Sequence, residues 1–169
     1  MQAKMKEINA FKIVGFGKEI SCAEEFSAIP KFWNEINERY AAVYAGNEPK
    51  NPLEEAVAAH NIGEYGVCIG QENGKTLYII AGEYKGGKVP NGLTMYELNG
   101  GDYAIFDCVG PMPNAIQEVT TKIFKEWLPN NPDYEWKKNI TVEWYDFNGQ
   151  VDAPDYHSAV WLPVQRKAK

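Results

Sequence analysis

Apolar and polar positions alternate along the first half of the chain in a way that predicts a strand followed by a helix. The β-branched and aromatic run 11–20 predicts the strand. Pro30 follows a polar connection, at a place where proline favours the first residue of a helix. Apolar residues then recur with a helical period and predict one buried stripe. This stripe consists of Ile29, Phe32, Trp33, Ile36, Tyr40 and Val43.

Turn signals then divide the chain into shorter elements. The prolines within 47–52 break the helix, and residues 53–60 predict a short helical turn. Strands at 65–69 and 76–80 follow, separated by a hairpin-like turn in which Gly74 is available for a positive φ.

The second half of the chain repeats this plan. A strand over 102–109 precedes a helix that Pro111 and Pro113 open. The apolar positions of this helix are Ile116, Val119, Ile123, Phe124, Trp127 and Leu128. The ranges 134–147 and 157–164 predict two further strands.

The entries to the two halves also look alike, because 8–16 and 98–106 share an apolar–Asn start and a terminal Phe. We interpret the chain 1–169 as one domain built from a tandem β-α-β-β repeat, with repeat one at about 5–84 and repeat two at about 92–166. Two such units can join their strands into one antiparallel sheet with both helices packed on it. The sequence therefore predicts an α+β fold with a ligand cleft between the repeats, since such interfaces are favoured ligand sites.

Charge and aromatic content narrow the classes of function. The formal net charge is −6, and positive charge clusters only at the tail, in Arg166, Lys167 and Lys169, which disfavours direct nucleic-acid binding. The chain holds 5 Trp, 10 Tyr and 7 Phe, a supply that favours a small-molecule pocket. The ordinary role of any single aromatic side chain is still to pack in a core.

Cysteine, histidine and hydropathy patterns favour a cytoplasmic protein without a cofactor. The three cysteines, Cys22, Cys68 and Cys108, are odd in number and widely spaced, which argues against a disulfide framework or a zinc site. His60 and His157 lie in no metal-ligand motif, so we expect no metal. No apolar signal segment or membrane-length apolar run occurs in the sequence.

The ordered motifs of the second half resemble the gyrase-inhibitor-like small-molecule-binding domain, which is also the effector-binding domain of AraC-type and MerR-type multidrug regulators. The motifs are Gly101-Asp-Tyr-Ala-Ile-Phe106, Gly110-Pro111, Trp127-Leu-Pro129, Glu143-Trp-Tyr145 and Trp161-Leu-Pro-Val164, with the earlier Pro90-Asn-Gly-Leu93. The match covers roughly residues 78–166, whereas the first repeat matches by element order alone. Many members carry another Trp where this chain has Thr120. The resemblance therefore does not define the contour of the pocket wall on that side.

The resemblance implies two β-α-β-β units, a ligand cleft between them, and a pocket glutamate at Glu143. The regulators of this family carry a DNA-binding helix-turn-helix in front of the domain, whereas this chain starts at the first strand. We therefore expect a stand-alone member that is not a transcription factor by itself.

Glu143 is the residue whose position most needs an explanation, because a charge at the centre of an aromatic-rich strand is costly unless it is paired or faces a cavity. Strand alternation places Thr141, Glu143, Tyr145 and Phe147 on one face, and Ile140, Val142 and Trp144 on a core-like face. A carboxylate beside aromatic rings can bind a lipophilic cation through charge pairing and cation–π contacts. Alternatively, Glu143 is exposed or pairs with a lysine. The further pocket candidates are Phe16, Trp33, Tyr103 and Trp127. Trp127 lies in the family motif at a helix end, Phe16 and Tyr103 lie at comparable places in the two repeats, and Trp33 also fits a core position.

Three functions remain open at this point. The first is the binding or sequestration of a lipophilic small molecule that is cationic or aromatic. The second is hydrolysis of a reactive small molecule, with Glu143 as general base and Tyr145 and Trp127 orienting the substrate. No nucleophile elbow of the Gly-x-Ser-x-Gly type occurs in the sequence. The third is an acidic protein that inhibits a DNA enzyme such as gyrase, although the acidic residues are dispersed along the chain.

Overall fold

The computed structural model describes residues 1–137 and 139–168 and divides the chain into two compact units. Unit 1 consists of Met1–Ala10 together with Asn99–Lys169, and unit 2 consists of Phe11–Leu98. Within the described residues, nine strands and four α-helices are present, and the strand pairs within each unit are antiparallel. The predicted α+β class is therefore confirmed.

The strands are β1 (Lys4–Ile8), β2 (Phe11–Ser21), β3 (Tyr65–Gly70), β4 (Lys75–Glu83), β5 (Thr94–Leu98), β6 (Gly101–Val109), β7 (Tyr134–Trp136), β8 (Ile140–Tyr145) and β9 (His157–Arg166). The helices are α1 (Glu25–Arg39), α2 (Ala41–Tyr44), α3 (Pro52–Ala59) and α4 (Asn114–Lys122). A 3₁₀ turn, Cys22–Glu24, leads into α1, and a π-helical turn, Ile123–Trp127, continues α4.

The two units have the same strand order. In unit 2 the order is β3-β4-β2-β5, and in unit 1 it is β8-β9-β6-β1, with β7 paired to β9. In each unit a strand, a helical segment and two more strands follow one another along the chain, and one extra strand pairs with the first. The tandem β-α-β-β repeat predicted from the sequence is thus present.

The hydrogen-bond register reproduces the sequence alignment of the two repeats. The pair Phe11–Leu98 on β2 and β5 corresponds to Gly101–Ile8 on β6 and β1. The pair Gly15–Thr94 corresponds in the same way to Ile105–Lys4. This constant offset is the one at which residues 8–16 and 98–106 align.

Helix α1 begins five residues before the predicted start. The sequence predicts Pro30 as a first helical residue, but Pro30 lies inside α1, and this prediction is wrong. Ala28 and Ile29, which precede it, pack against the core of unit 2. Their burial favours helical geometry one turn earlier, at the cost of the single hydrogen bond that Pro30 cannot donate.

The core of unit 2 lies between α1–α3 and one face of its sheet. The predicted stripe contributes buried Phe32, Ile36, Tyr40 and Val43, and it packs on Phe16, Ile20, Tyr78 and Ile80 of the strands. The α3 helix begins at Pro52, where Asn51 caps it by accepting a hydrogen bond from the Glu54 backbone N–H at 2.9 Å.

The predicted strand 134–147 is two strands rather than one. β7 ends at Trp136 and β8 begins at Ile140, and between them Asn139 takes φ 49°, a left-handed conformation that a continuous strand does not allow. Position 138, which falls inside the predicted strand, lies outside the described residues. The short strand β1 is an element that the sequence pattern did not indicate.

Candidate functional site

The strand register of unit 1 brings Glu143 onto the same face as the aromatic core. Across β6, β9 and β8, one row consists of Phe106, Val160 and Glu143. The next row on that face consists of Cys108, Ser158 and Tyr145. Directly paired residues lie on the same face of a sheet, as do residues two apart on one strand, so these six side chains share one face.

The helical segment of unit 1 covers this same face. The indole of Trp127 meets the ring of Phe106 edge-on, with ring centroids 5.0 Å apart and an interplanar angle of 86°. Trp127 is the last residue of the π-helical turn, in which the backbone N–H of Leu128 donates to the carbonyl of Ile123 at 2.8 Å. Ile123 is fully buried and fixes the turn against the sheet. Trp127, Tyr145 and Glu143 are therefore brought to one face of one unit.

Glu143 is half-buried, whereas its row neighbours Phe106 and Val160 are each only 1% exposed. Its charge reaches the buried thiol of Cys108, whose pKa rises to about 11. Burial is the largest cause of that rise, and the carboxylate of Glu143 adds to it. The carboxylate thus acts within a partly desolvated apolar face, where a charge interacts more strongly than in water.

Tyr145 is buried like a core residue, with 8% of its surface exposed. Strand β8 ends there, so Phe147, which was predicted on the same face, lies beyond the strand and is exposed. Ile140 and Val142 are buried, as predicted for the core-like face, whereas Trp144 of the same face is only half-buried.

Tyr103 lies on the opposite face of the unit 1 sheet from Glu143. It is three residues from Phe106 on β6 and pairs with Pro163 of β9, so the alternation of the strand directs it away from the Glu143 face. It is buried, and its hydroxyl donates to the backbone carbonyl of Asn99 at 3.0 Å. The structure therefore does not bring Tyr103 together with Glu143.

The remaining two predicted residues, Phe16 and Trp33, belong to unit 2. Phe16 is buried and stacks on Tyr40, with centroids 5.0 Å apart and an interplanar angle of 28°. Trp33 is half-buried, and its Nε1–H donates to the hydroxyl of Tyr78 at 2.7 Å. Both side chains pack with the core of unit 2.

The carboxylate of Glu143 has no counterpart in the other repeat. The row Phe106–Val160–Glu143 corresponds in unit 2 to Phe16–Ile80–Gly66. Phe16 and Phe106 occupy equivalent places, and each contacts an aromatic ring of its own helical segment. Because a glycine fills the equivalent position in unit 2, the repeat fold does not require a carboxylate there.

Sequence reasoning missed several residues that share the Glu143 face: Phe106, Cys108, Ser158 and Val160. The signal was available in the period-two alternation of 101–109 and 157–164, but it separates the faces only once the pairing of β6 with β9 is known.

Unit 1 also contains a cavity of about 330 Å³ beside the helical segment. Its lining residues are Met1, Gln2, Phe106, Asp107, Val119, Lys122 and Glu126. None of the six side chains predicted for the site lines it.

No group of three or more His, Cys, Asp or Glu side chains among residues 1–137 and 139–168 is arranged to hold a metal ion. Over the same part of the chain, no helix is long and apolar enough to cross a membrane.

Comparisons with known proteins identify the family. Solved structures with similar folds include SAV2435 bound to tetraphenylphosphonium, with a TM-score of 0.77 and 21% identity over 98% of this chain and 94% of that one. A putative transcription regulation protein from Staphylococcus aureus MU50 has a TM-score of 0.74 and 20% identity over 98% and 99% of the two chains. An integron cassette protein of Vibrio cholerae has a TM-score of 0.64 and 14% identity over 97% and 96%.

These identities establish a shared fold. No curated protein sequence matches the chain significantly. The sequence profile of the Cass2 family, integron-associated effector binding protein, matches residues 4–164. The chain therefore belongs to the Cass2 family of integron-associated effector-binding proteins.

Proposed function

We propose that this protein binds lipophilic small molecules that carry a positive charge, with the carboxylate of Glu143 as the anionic anchor. The observation that carries the proposal is the position of Glu143, a half-buried carboxylate on the aromatic, helix-covered face of the unit 1 sheet. Trp127 and Tyr145 lie on the same face and supply rings for cation–π and apolar contacts.

The electrostatics of this face favour a cation. A half-buried carboxylate has lost part of its hydration, and an opposite charge restores part of the lost interaction. Apolar neighbours such as Phe106 and Val160 offer dispersion contacts but no polar partners, so they do not select a particular pattern of donors and acceptors. The carboxylate thus contributes charge to the recognition of a ligand, and these apolar neighbours contribute contact area.

The comparisons support this class of ligand. The family is described as effector-binding, and the similar structure of SAV2435 is bound to tetraphenylphosphonium, which is a lipophilic cation with four aromatic rings. At 21% identity that likeness concerns the fold, so the ligand of SAV2435 serves here as a probe to be tested.

Glu143→Gln is the variant that tests the anchor. Glutamine keeps the size and hydrogen-bonding groups but removes the charge, and Gly66 at the equivalent place in unit 2 indicates that the fold does not depend on a carboxylate. The matched control is Glu118→Gln, which removes one charge from an exposed residue of α4 in the same unit. Isothermal titration calorimetry with tetraphenylphosphonium should show at least tenfold weaker binding by Glu143→Gln, about 1.4 kcal/mol, and unchanged binding by Glu118→Gln.

The sign of the charge is tested with tetraphenylborate, an anion of similar shape. Wild type should discriminate against the anion, and Glu143→Gln should lose most of that discrimination. Equal affinity of wild type and Glu143→Gln for tetraphenylphosphonium would remove Glu143 from the site.

A further inference from the structure

His60 lies at the C-terminal end of α3 and contacts the loop that joins β4 to β5 in unit 2. The side chain is buried, with 5% of the residue exposed. Its Nδ1 accepts a hydrogen bond from the backbone N–H of Lys85 at 3.0 Å. Its ring stacks on Tyr84, with centroids 5.3 Å apart and an interplanar angle of 25°.

The backbone around His60 is held closely against β4. A Cβ added at Gly82 would lie 1.7 Å from the His60 carbonyl oxygen, so only glycine permits this approach. The backbone N–H of Gly63 also donates to the carbonyl of Ala81 at 3.0 Å. These contacts fix the imidazole at hydrogen-bonding distance from the start of the loop.

The first residues of the loop depend on a small number of hydrogen bonds. The Tyr84 backbone N–H donates to the carbonyl of Lys12 at 2.9 Å, and the Tyr84 hydroxyl donates to the carbonyl of Gly87. Gly86 and Gly87 have φ values of +99° and +91°, which glycine adopts without strain. Unlike these two hydrogen bonds, the one from the Lys85 backbone N–H to Nδ1 of His60 requires a particular protonation state of the imidazole.

Nδ1 can accept this bond only while it carries no proton, because both ring nitrogens of an imidazolium are donors. The groups that face the ring are the Lys85 ammonium, whose like charge opposes protonation, the Glu83 backbone, which favours it, and the uncharged Tyr84 ring. Burial is the strongest influence and lowers the pKa of His60, and Lys85 lowers it further. The imidazole is thus neutral at pH 7.

We propose that His60 is a pH-sensitive latch: its neutral imidazole holds the start of the β4–β5 loop on the end of α3, and protonation releases Lys85. The released state loses the Lys85–His60 hydrogen bond and places two positive charges side by side, so the segment from Lys85 to Pro90 opens. The β2–β4 ladder, which ends at the Ile13–Glu83 pair, stays intact.

Amide hydrogen exchange measured by NMR tests the latch without any ligand. The protection factor of the Lys85 amide, corrected for the intrinsic rate at each pH, is measured from pH 7.5 down through the titration of His60. The ring titration is followed in a His157→Gln background, in which His60 is the one remaining histidine. We expect protection of Lys85 to fall at least tenfold as His60 titrates, while Ile80 in β4 stays protected.

Two variants distinguish the loss of the hydrogen-bond acceptor at position 60 from the gain of a positive charge on the imidazole. Asparagine at position 60 can place its Oδ1 near the position of Nδ1 and accepts at every pH, so His60→Asn should keep Lys85 protected throughout. His60→Ala lacks the acceptor and should show low protection of Lys85 already at pH 7.5. Constant protection of Lys85 through the His60 titration would overturn the proposal, as would loss of Ile80 and Lys85 protection together, since that would be global unfolding.

Discussion

Gly15 and Gly17 lie two residues apart on the same face of β2, and the structure gives them very different surroundings. A Cβ added at Gly15 would lie 1.9 Å from the carbonyl oxygen of Ile80 and 2.6 Å from the Cα of Ala81. A Cβ at Gly17 would lie 3.1 Å from the Thr94 hydroxyl oxygen and 3.4 Å from a Leu77 methyl. We predict that Gly15→Ala is severely destabilising and that Gly17→Ala is close to neutral.

The size of the effect follows from these distances. Carbon–oxygen contacts settle near about 3.3 Å, so the β4 backbone would have to retreat by about 1.4 Å from an alanine at Gly15. Overpacking costs about 1–3 kcal/mol, and each ladder hydrogen bond broken by the shift costs about 1 kcal/mol more. We therefore expect a loss of about 3 kcal/mol or more in the free energy of unfolding. Gly17→Ala requires a shift of only about 0.2 Å, and about 0.4–1 kcal/mol of lost unfolded-state entropy offsets it.

Urea unfolding followed by far-UV circular dichroism measures both variants against wild type. Gly15→Ala should also lower the melting temperature by about 6–12 °C, at about 2–4 °C per kcal/mol for a chain of this size. A difference of less than about 1 kcal/mol between the two variants, within the usual spread for surface changes, would refute the argument from the Ile80 carbonyl.

Two further predictions concern a thiol and a helix cap. The Cys108 thiol is buried, and its pKa is raised to about 11. It should therefore stay unlabelled by iodoacetamide at pH 8, while the exposed Cys22 reacts. Equal labelling rates of the two cysteines, measured by peptide mass spectrometry, would contradict this. Asn51→Ala should cost about 1 kcal/mol in urea unfolding because it removes the cap on the Glu54 N–H, whereas Asn51→Ser should restore most of the stability. If the serine variant is no more stable than the alanine variant, the cap does not stabilise α3.

The pattern of apolar residues predicted the helices and strands well in segments where it follows either the helical or the strand period throughout. The stripe through Phe32 and Ile36 and the alternation of β6 each face a core, so hydrophobic burial and local geometry favour the same structure. Pro30 misled the prediction because packing of Ala28 and Ile29 outweighs the lost hydrogen bond. The break at Asn139 depends on a single left-handed residue in an otherwise strand-like segment.

The candidate site was predictable only in part, because a strand pattern divides residues into two faces without identifying which face the helix covers. Glu143 and Tyr145 were placed on one face from β8 alone, and this holds in the structure. Tyr103 was predicted from its place in the second repeat, which is comparable to that of Phe16 in the first. The register instead makes Phe106 the counterpart of Phe16, and the pairing of β6 with β9 places Tyr103 on the other face. That assignment depends on long-range register, which local sequence does not encode.

The two units are nested along the chain. Unit 2 is one continuous segment, Phe11–Leu98, whereas unit 1 needs residues 1–10 in addition to everything after Leu98. Strand β1 therefore leaves the ribosome before its partner β6, which follows about a hundred residues later, as in the pair Lys4–Ile105. During synthesis unit 2 can close its own sheet, from β2 to β5, while β1 still lacks a partner. The order of translation thus favours completion of unit 2 before unit 1, which carries Glu143, can form its sheet.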